Sequence, residues 1–178
     1  EVLSGNKEPK TGEFKFGTTI TTAYLPNENH EFFQKKESLV DWLRTYSVTD
    51  EEREEVYIRG FLGRMLFSGE EALKSATVLS GGEKVRCMLS KLMMVKANLL
   101  MMDEPTNHLD LESITALNNG MNDFPGIIMF TSHDQELVQT VATRIIEITP
   151  NGMIDKLIPY DEYLKDEKIA QLQEELYA

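Results

Sequence analysis

The sequence predicts an α/β fold built on a mostly parallel sheet, and three observations predict it. Leu99-Leu100-Met101-Met102 is a run of four apolar residues that ends in Asp103 and Glu104. Such a run reads as a strand buried on both faces that delivers its acids to a C-terminal sheet edge, where open α/β sheets place ligands. Gly126-Ile127-Ile128-Met129-Phe130 is a second buried strand, ending at Thr131-Ser132-His133-Asp134. Around them the apolar residues fall at helical spacing, at Val85, Met88, Leu89, Leu92, Met93 and Val95, and again at Ile114, Leu117 and Met121.

Adjacent carboxylates at such an edge suit phosphoryl chemistry. Asp103 can hold Mg²⁺, directly or through water, while Glu104 orients a water in line with a terminal phosphate. The same pair could instead cap the following helix. Upstream, Leu79-Ser80-Gly81-Gly82-Glu83 precedes the first helical pattern. That puts a hydroxyl and two glycines at a helix N-terminus, whose backbone N–H groups and dipole attract an anion. An ordinary serine N-cap is the alternative there.

Together these stretches resemble the ATP-binding cassette (ABC) ATPases. The resemblance makes Leu79–Glu83 the signature sequence, with Ser80, Gly81, Gly82 and Glu83 toward nucleotide, and Leu99–Asp103 the Walker B strand. It also makes Asp103 the metal-binding acid, Glu104 the catalytic base, Asp110 part of the D-loop, and His133 the switch histidine that contacts the terminal phosphate. The cofactors implied are ATP and Mg²⁺. The fold implied is that of a P-loop NTPase-like ABC domain, with a helical subdomain inserted into the sheet.

Composition is consistent with this. The 178 residues, 41% of them apolar, suffice for one domain with a core. A formal charge of −12, from 30 acids against 18 bases, argues against a broad nucleic-acid face. The single cysteine, Cys87, excludes a disulfide framework and fits a reducing cytoplasm. No apolar run reaches the length of a membrane span, and His30, His108 and His133 lack metal-site spacing.

In chain order, four segments are expected. Residues 1–31 hold a glycine- and proline-marked loop and then Glu13–Leu25, read as a short antiparallel pair. No G-x-x-x-x-G-K-[ST] occurs. The resemblance therefore implies that the chain starts partway into an ABC domain and is incomplete at its N-terminus, and that these residues alone would not turn over ATP. Asn27 falls where the family has its Q-loop glutamine and so becomes a candidate for the nucleotide site; a Pro26-Asn27 turn is the other reading. Residues 32–97 form the helical subdomain, with short amphipathic helices around Leu39–Leu43 and Val56–Leu66. Residues 98–158 carry the Walker B strand, the D-loop and the histidine switch, then a helix over 135–141 and a hairpin turning at Asn151-Gly152. Residues 159–178 form an acidic helical tail.

Asn107-His108-Leu109-Asp110, Ser132-His133-Asp134-Gln135 and Tyr160-Asp161-Glu162-Tyr163-Leu164 resemble the ABC-F class, and the tail resembles the end of a second ABC-F domain. This resemblance implies a cytoplasmic protein that clamps on ATP, with a second ABC domain in the same chain and the ribosome as partners. A transporter's ATPase subunit and a chromosome-maintenance head are the other family readings.

Overall fold

The structure is a computed structural model that describes residues 1–178. The chain divides into two compact units, Glu1–Thr131 and Ser132–Ala178, so the boundary falls within the expected 98–158 segment.

The first unit is organised by a three-stranded parallel sheet. Its strands are β1 (Thr22–Leu25), β2 (Leu99–Asp103) and β3 (Ile127–Thr131), in that order, with β2 central. Leu99, Leu100, Met101 and Met102 are all at most 7% exposed, as a doubly covered strand requires. At about 1.5–3 kcal/mol for each fully buried side chain, this run holds the sheet's centre. The expected antiparallel pair over Glu13–Leu25 does not form. Only Thr22–Leu25 is a strand, and it runs parallel to β2, because Asn98 takes the backbone of Thr21 through its side-chain oxygen at 2.9 Å and aligns the two starts. Nor is β3 buried as its composition suggested: it ends the sheet, and Ile127 and Met129 are 62% and 43% exposed.

Helices α1 (Leu39–Arg44), α2 (Glu55–Arg64), α3 (Gly81–Met94) and α4 (Leu111–Asn122) complete this unit. The Leu39, Val40, Trp42 and Leu43 pattern buries one side of α1, while Ile58 and Leu62 do so for α2. Leu89 and Leu92 of α3 and Leu117 and Met121 of α4 meet Leu100 and Met102 on one face of the sheet. Lys91 of α3 lies over the rings of Phe32 and Tyr46, at 4.5 and 4.3 Å, which ties the segment after β1 to the signature helix. Cys87 is fully buried and its thiol is pushed far up by burial, so it is a packing residue.

The second unit contains α5 (Gln135–Val141), the antiparallel hairpin β4 (Ile145–Thr149) and β5 (Gly152–Lys156), and helices α6 (Tyr160–Lys165) and α7 (Glu167–Tyr177). Ile154, Tyr163 and Ile169 form its small core. The acidic tail is two helices because Asp166 ends the first in an extended conformation and caps the second, accepting from Lys168 N at 2.8 Å.

Candidate functional site: a strand edge and a helix start

The signature residues lie where helix chemistry puts them. Ser80 is extended, with ψ 168°, and its hydroxyl accepts from the N–H of Glu83 at 3.2 Å, while the Glu83 carboxylate accepts from the N–H of Ser80 at 2.8 Å. This reciprocal capping box contributes about 1 kcal/mol and fixes the direction of α3. Lys74 closes the arrangement, its ammonium 2.8 Å from Glu83. Burial pushes the Glu83 carboxyl up, but the hydrogen bonds from Lys74 and Ser80 outweigh it and hold the group below its usual range. Glu83 is therefore occupied with holding the cap, whereas Ser80 and Gly81 stay exposed at its tip.

A pocket of about 280 Å³ opens there, lined by Ser80, Gly81, Gly82, Glu83, Arg86, His108, Asp110 and Ser113. One wall is the start of α3 and the other is the loop after β2. The two are in contact: a side chain on Gly82 would come 2.7 Å from the His108 carbonyl oxygen, and one on Gly81 would come 3.4 Å from the His108 Cβ. Glycine is required at 82 because backbone fills the place of its side chain. Arg86, one turn further along α3, supplies positive charge. Its guanidinium stacks on Phe67 at 4.8 Å and donates to the Met65 carbonyl at 3.3 Å, while its buried Nε has no partner.

Asp110 caps α4, accepting from the N–H of Ser113 at 2.8 Å. Hydrogen bonds from Ser113, through side chain and backbone, hold its carboxyl below the usual range, and Arg86 adds to this. Asp110 is thus charged and fixed at the pocket mouth.

Asp103 and Glu104 stand half-buried at the C-terminal end of β2, as expected. The Thr131 hydroxyl donates to Asp103 Oδ1 at 2.9 Å, and the N–H of Glu104 donates to the Thr131 carbonyl at 3.1 Å. Glu104 takes a left-handed backbone, φ 48°, which turns the chain sharply off the strand. A carboxylate with one oxygen oriented by a hydroxyl at an open strand end fits a hard divalent cation such as Mg²⁺. For ATP, the residues present offer a helix start and two acids at a strand end. They include no phosphate-cradling glycine-lysine loop.

Asn27 lies beyond β1, and its side-chain oxygen accepts from Asn107 at 3.3 Å. His133 follows β3 and belongs to the second unit, exposed just ahead of α5. Asp134, beside it, caps that helix by accepting from the N–H of Leu137 at 3.1 Å. Sequence reasoning missed Thr131, Asn107, His108 and Arg86. Arg86 was discoverable, since it is four residues from Gly82 on one helix face. A second groove, of about 1110 Å³, lies at the opposite ends of the strands, near Asn98 and Gly126, away from these acids.

Comparison with known proteins decides the family. The family model described as "ABC transporter" matches residues 1–107, more than half of the chain. The chain belongs to the ABC ATPase family. A Bacillus subtilis (strain 168) relative, described as an uncharacterized ABC transporter ATP-binding protein, YkpA, is 59% identical over all of this ABC domain and 33% of its own length. The energy-dependent translational throttle protein EttA of Escherichia coli (strain K12) is 32% identical over 92% of the chain and 30% of its own length. The chain thus spans about a third of these curated relatives. Among solved structures, the archaeal ribosome recycling factor aABCE1, in complex with ribosomal stalk protein aP1, has a TM-score of 0.71 at 19% identity. That match covers 94% of this ABC domain and 33% of the other chain, and it establishes the shared fold.

Proposed function

We propose that this ABC ATPase domain is the ATP-hydrolysing part of an ABC-F type protein, a nucleotide-driven clamp that works on the ribosome. The observation that carries the ATPase reading is the joining of two half-sites by one loop. Asp103 and Glu104 stand at its start, and the pocket at Ser80, Gly81 and Gly82 is walled by its end.

In this reading Asp103 is the acid that holds Mg²⁺, which when bound neutralises phosphate oxygens. Glu104 takes a proton from the water that attacks the terminal phosphorus, and the bond to the bridging oxygen breaks to leave ADP and phosphate. The family resemblance assigns His133 the contact with the terminal phosphate. Ser80, through its hydroxyl, and Gly81 and Gly82, through their N–H groups, close on nucleotide held by a second ABC domain of the same protein, and Asp110 faces that domain across the interface. ATP binding closes the two halves and hydrolysis releases them.

The ribosome enters through the ABC-F-like Asn107-His108-Leu109-Asp110 and the EttA relative, whose name is that of a translational throttle. No helix of the chain is long and apolar enough to cross a membrane. The name of the 59% identical relative favours a second reading, the ATPase subunit of a transporter. Sedimentation of the intact protein with purified ribosomes separates the two. Pelleting with ribosomes in the presence of ATP, but not ADP, supports the clamp, and recovery only with membranes supports the transporter.

A further inference from the structure

The loop from Glu104 to Asp110 is held from two sides. On one side it rests on the signature helix, where a side-chain carbon added at Gly82 would clash with the His108 carbonyl oxygen, only 2.7 Å away. On the other side, Asn107 donates from its side chain to the Asn27 oxygen at 3.3 Å, across 80 residues of sequence. Between these supports the loop is internally tight. Asn107 N donates to Glu104 O at 3.1 Å, Leu109 N donates to Thr106 O at 3.2 Å, and Pro105 is fully buried. Both Glu104, at φ 48°, and His108, at φ 66°, take left-handed conformations that persist only where surroundings impose them. Asn107 is three residues from Glu104, so its place constrains where the Glu104 backbone turns.

We propose that Asn27 is a positioning residue, which holds Asn107 and through it the loop that aims Glu104, and that it does not ligate the metal. The Asn27 side-chain oxygen already accepts from Asn107, which turns the amide toward the loop. Asparagine's short arm suits this neighbour: the loop comes to it, with Gly82 as the opposing stop. This inference rests on the ATPase reading above and adds a role within the same site.

The test combines hydrogen exchange with kinetics on the intact protein, using Asn27→Ala, Asn107→Ala and the double variant. Losing a hydrogen bond worth about 1 kcal/mol should speed amide exchange over residues 105–110 about fivefold in each single variant, and the double variant should go no further. Turnover should fall by a similar factor, while the ATP KM and the Mg²⁺ concentration that half-saturates nucleotide binding stay within about twofold. Asn27→Asp, which keeps an acceptor for Asn107, should restore slow exchange. A roughly tenfold rise in the Mg²⁺ requirement of Asn27→Ala with exchange unchanged would overturn the proposal in favour of a metal ligand. Additive or absent effects on exchange would overturn it as well. If Glu104→Gln leaves ATP turnover intact, the ATPase reading fails on its own, and the exchange data still decide whether Asn27 holds the loop.

Discussion

The Thr131 hydroxyl donates to Asp103 Oδ1 at 2.9 Å, so the last residue of β3 orients the last residue of β2. Parallel pairing of the two strands in register, Asp103 opposite Thr131, makes this contact possible. A single strand therefore does not make the acid site; its neighbour aims it.

Replacing that hydroxyl tests its role. Thr131→Val is expected to cost about 1 kcal/mol of stability and to raise several-fold the Mg²⁺ needed for nucleotide binding by the intact protein, whereas Thr131→Ser should stay near the parent in both. Thermal melts and a Mg²⁺ titration read the two effects.

Glycines in this chain should divide sharply by location. Gly82→Ala forces the His108 backbone to move and should destabilise by about 1–3 kcal/mol. Gly60→Ala and Gly63→Ala, both within α2 with nothing within 4 Å of the added carbon, should be neutral or stabilise by up to about 1 kcal/mol. Urea denaturation midpoints of the three variants give the comparison.

Acid should unfold the first unit partly through Glu52. This buried carboxylate accepts from Lys96 at 2.6 Å and from the N–H of Val48 at 2.9 Å, and the Lys96 hydrogen bond foremost brings its pKa from 4.5 to about 2. A folded-state value below the unfolded one means that its stabilisation is full above about pH 4.5 and is lost as pH falls toward 2. Glu52→Gln should flatten the stability profile across that window and leave its shape at neutral pH unchanged. A melting series from pH 2 to 7 checks it.

Helices α6 and α7 are both latched to the hairpin at Glu147, which accepts from Tyr163 of α6 and, on α7, from Gln173 at 2.7 Å and Tyr177 at 2.9 Å. Tyr177→Phe should loosen the end of α7 at a cost of up to about 1 kcal/mol, seen as faster amide exchange over residues 167–177 with the strands of the first unit unaffected.

Elements whose burial is set locally were legible in the sequence. β2 announced itself by four apolar residues in a row, α3 by Ser80 and two glycines ahead of apolar residues at helical spacing, and the β4–β5 turn by Asn151-Gly152. What escaped depends on partners distant in sequence. The parallel pairing of β1 is fixed by Asn98, and the exposure of β3 follows from its place at the end of the sheet, which its composition does not encode. At the site, the acids and the helix start were readable as residue types. Thr131, Asn107 and the His108 carbonyl were not, because a threonine, an amide and a backbone atom carry no signal until the fold brings them together.

Single-turnover ATP hydrolysis by the intact protein and its Glu104→Gln variant tests the central claim most directly. The amide keeps the shape of the side chain and removes the base, so ATP binding should persist while the hydrolysis rate falls by roughly 100-fold or more. Hydrolysis at the parental rate in that variant would contradict the account.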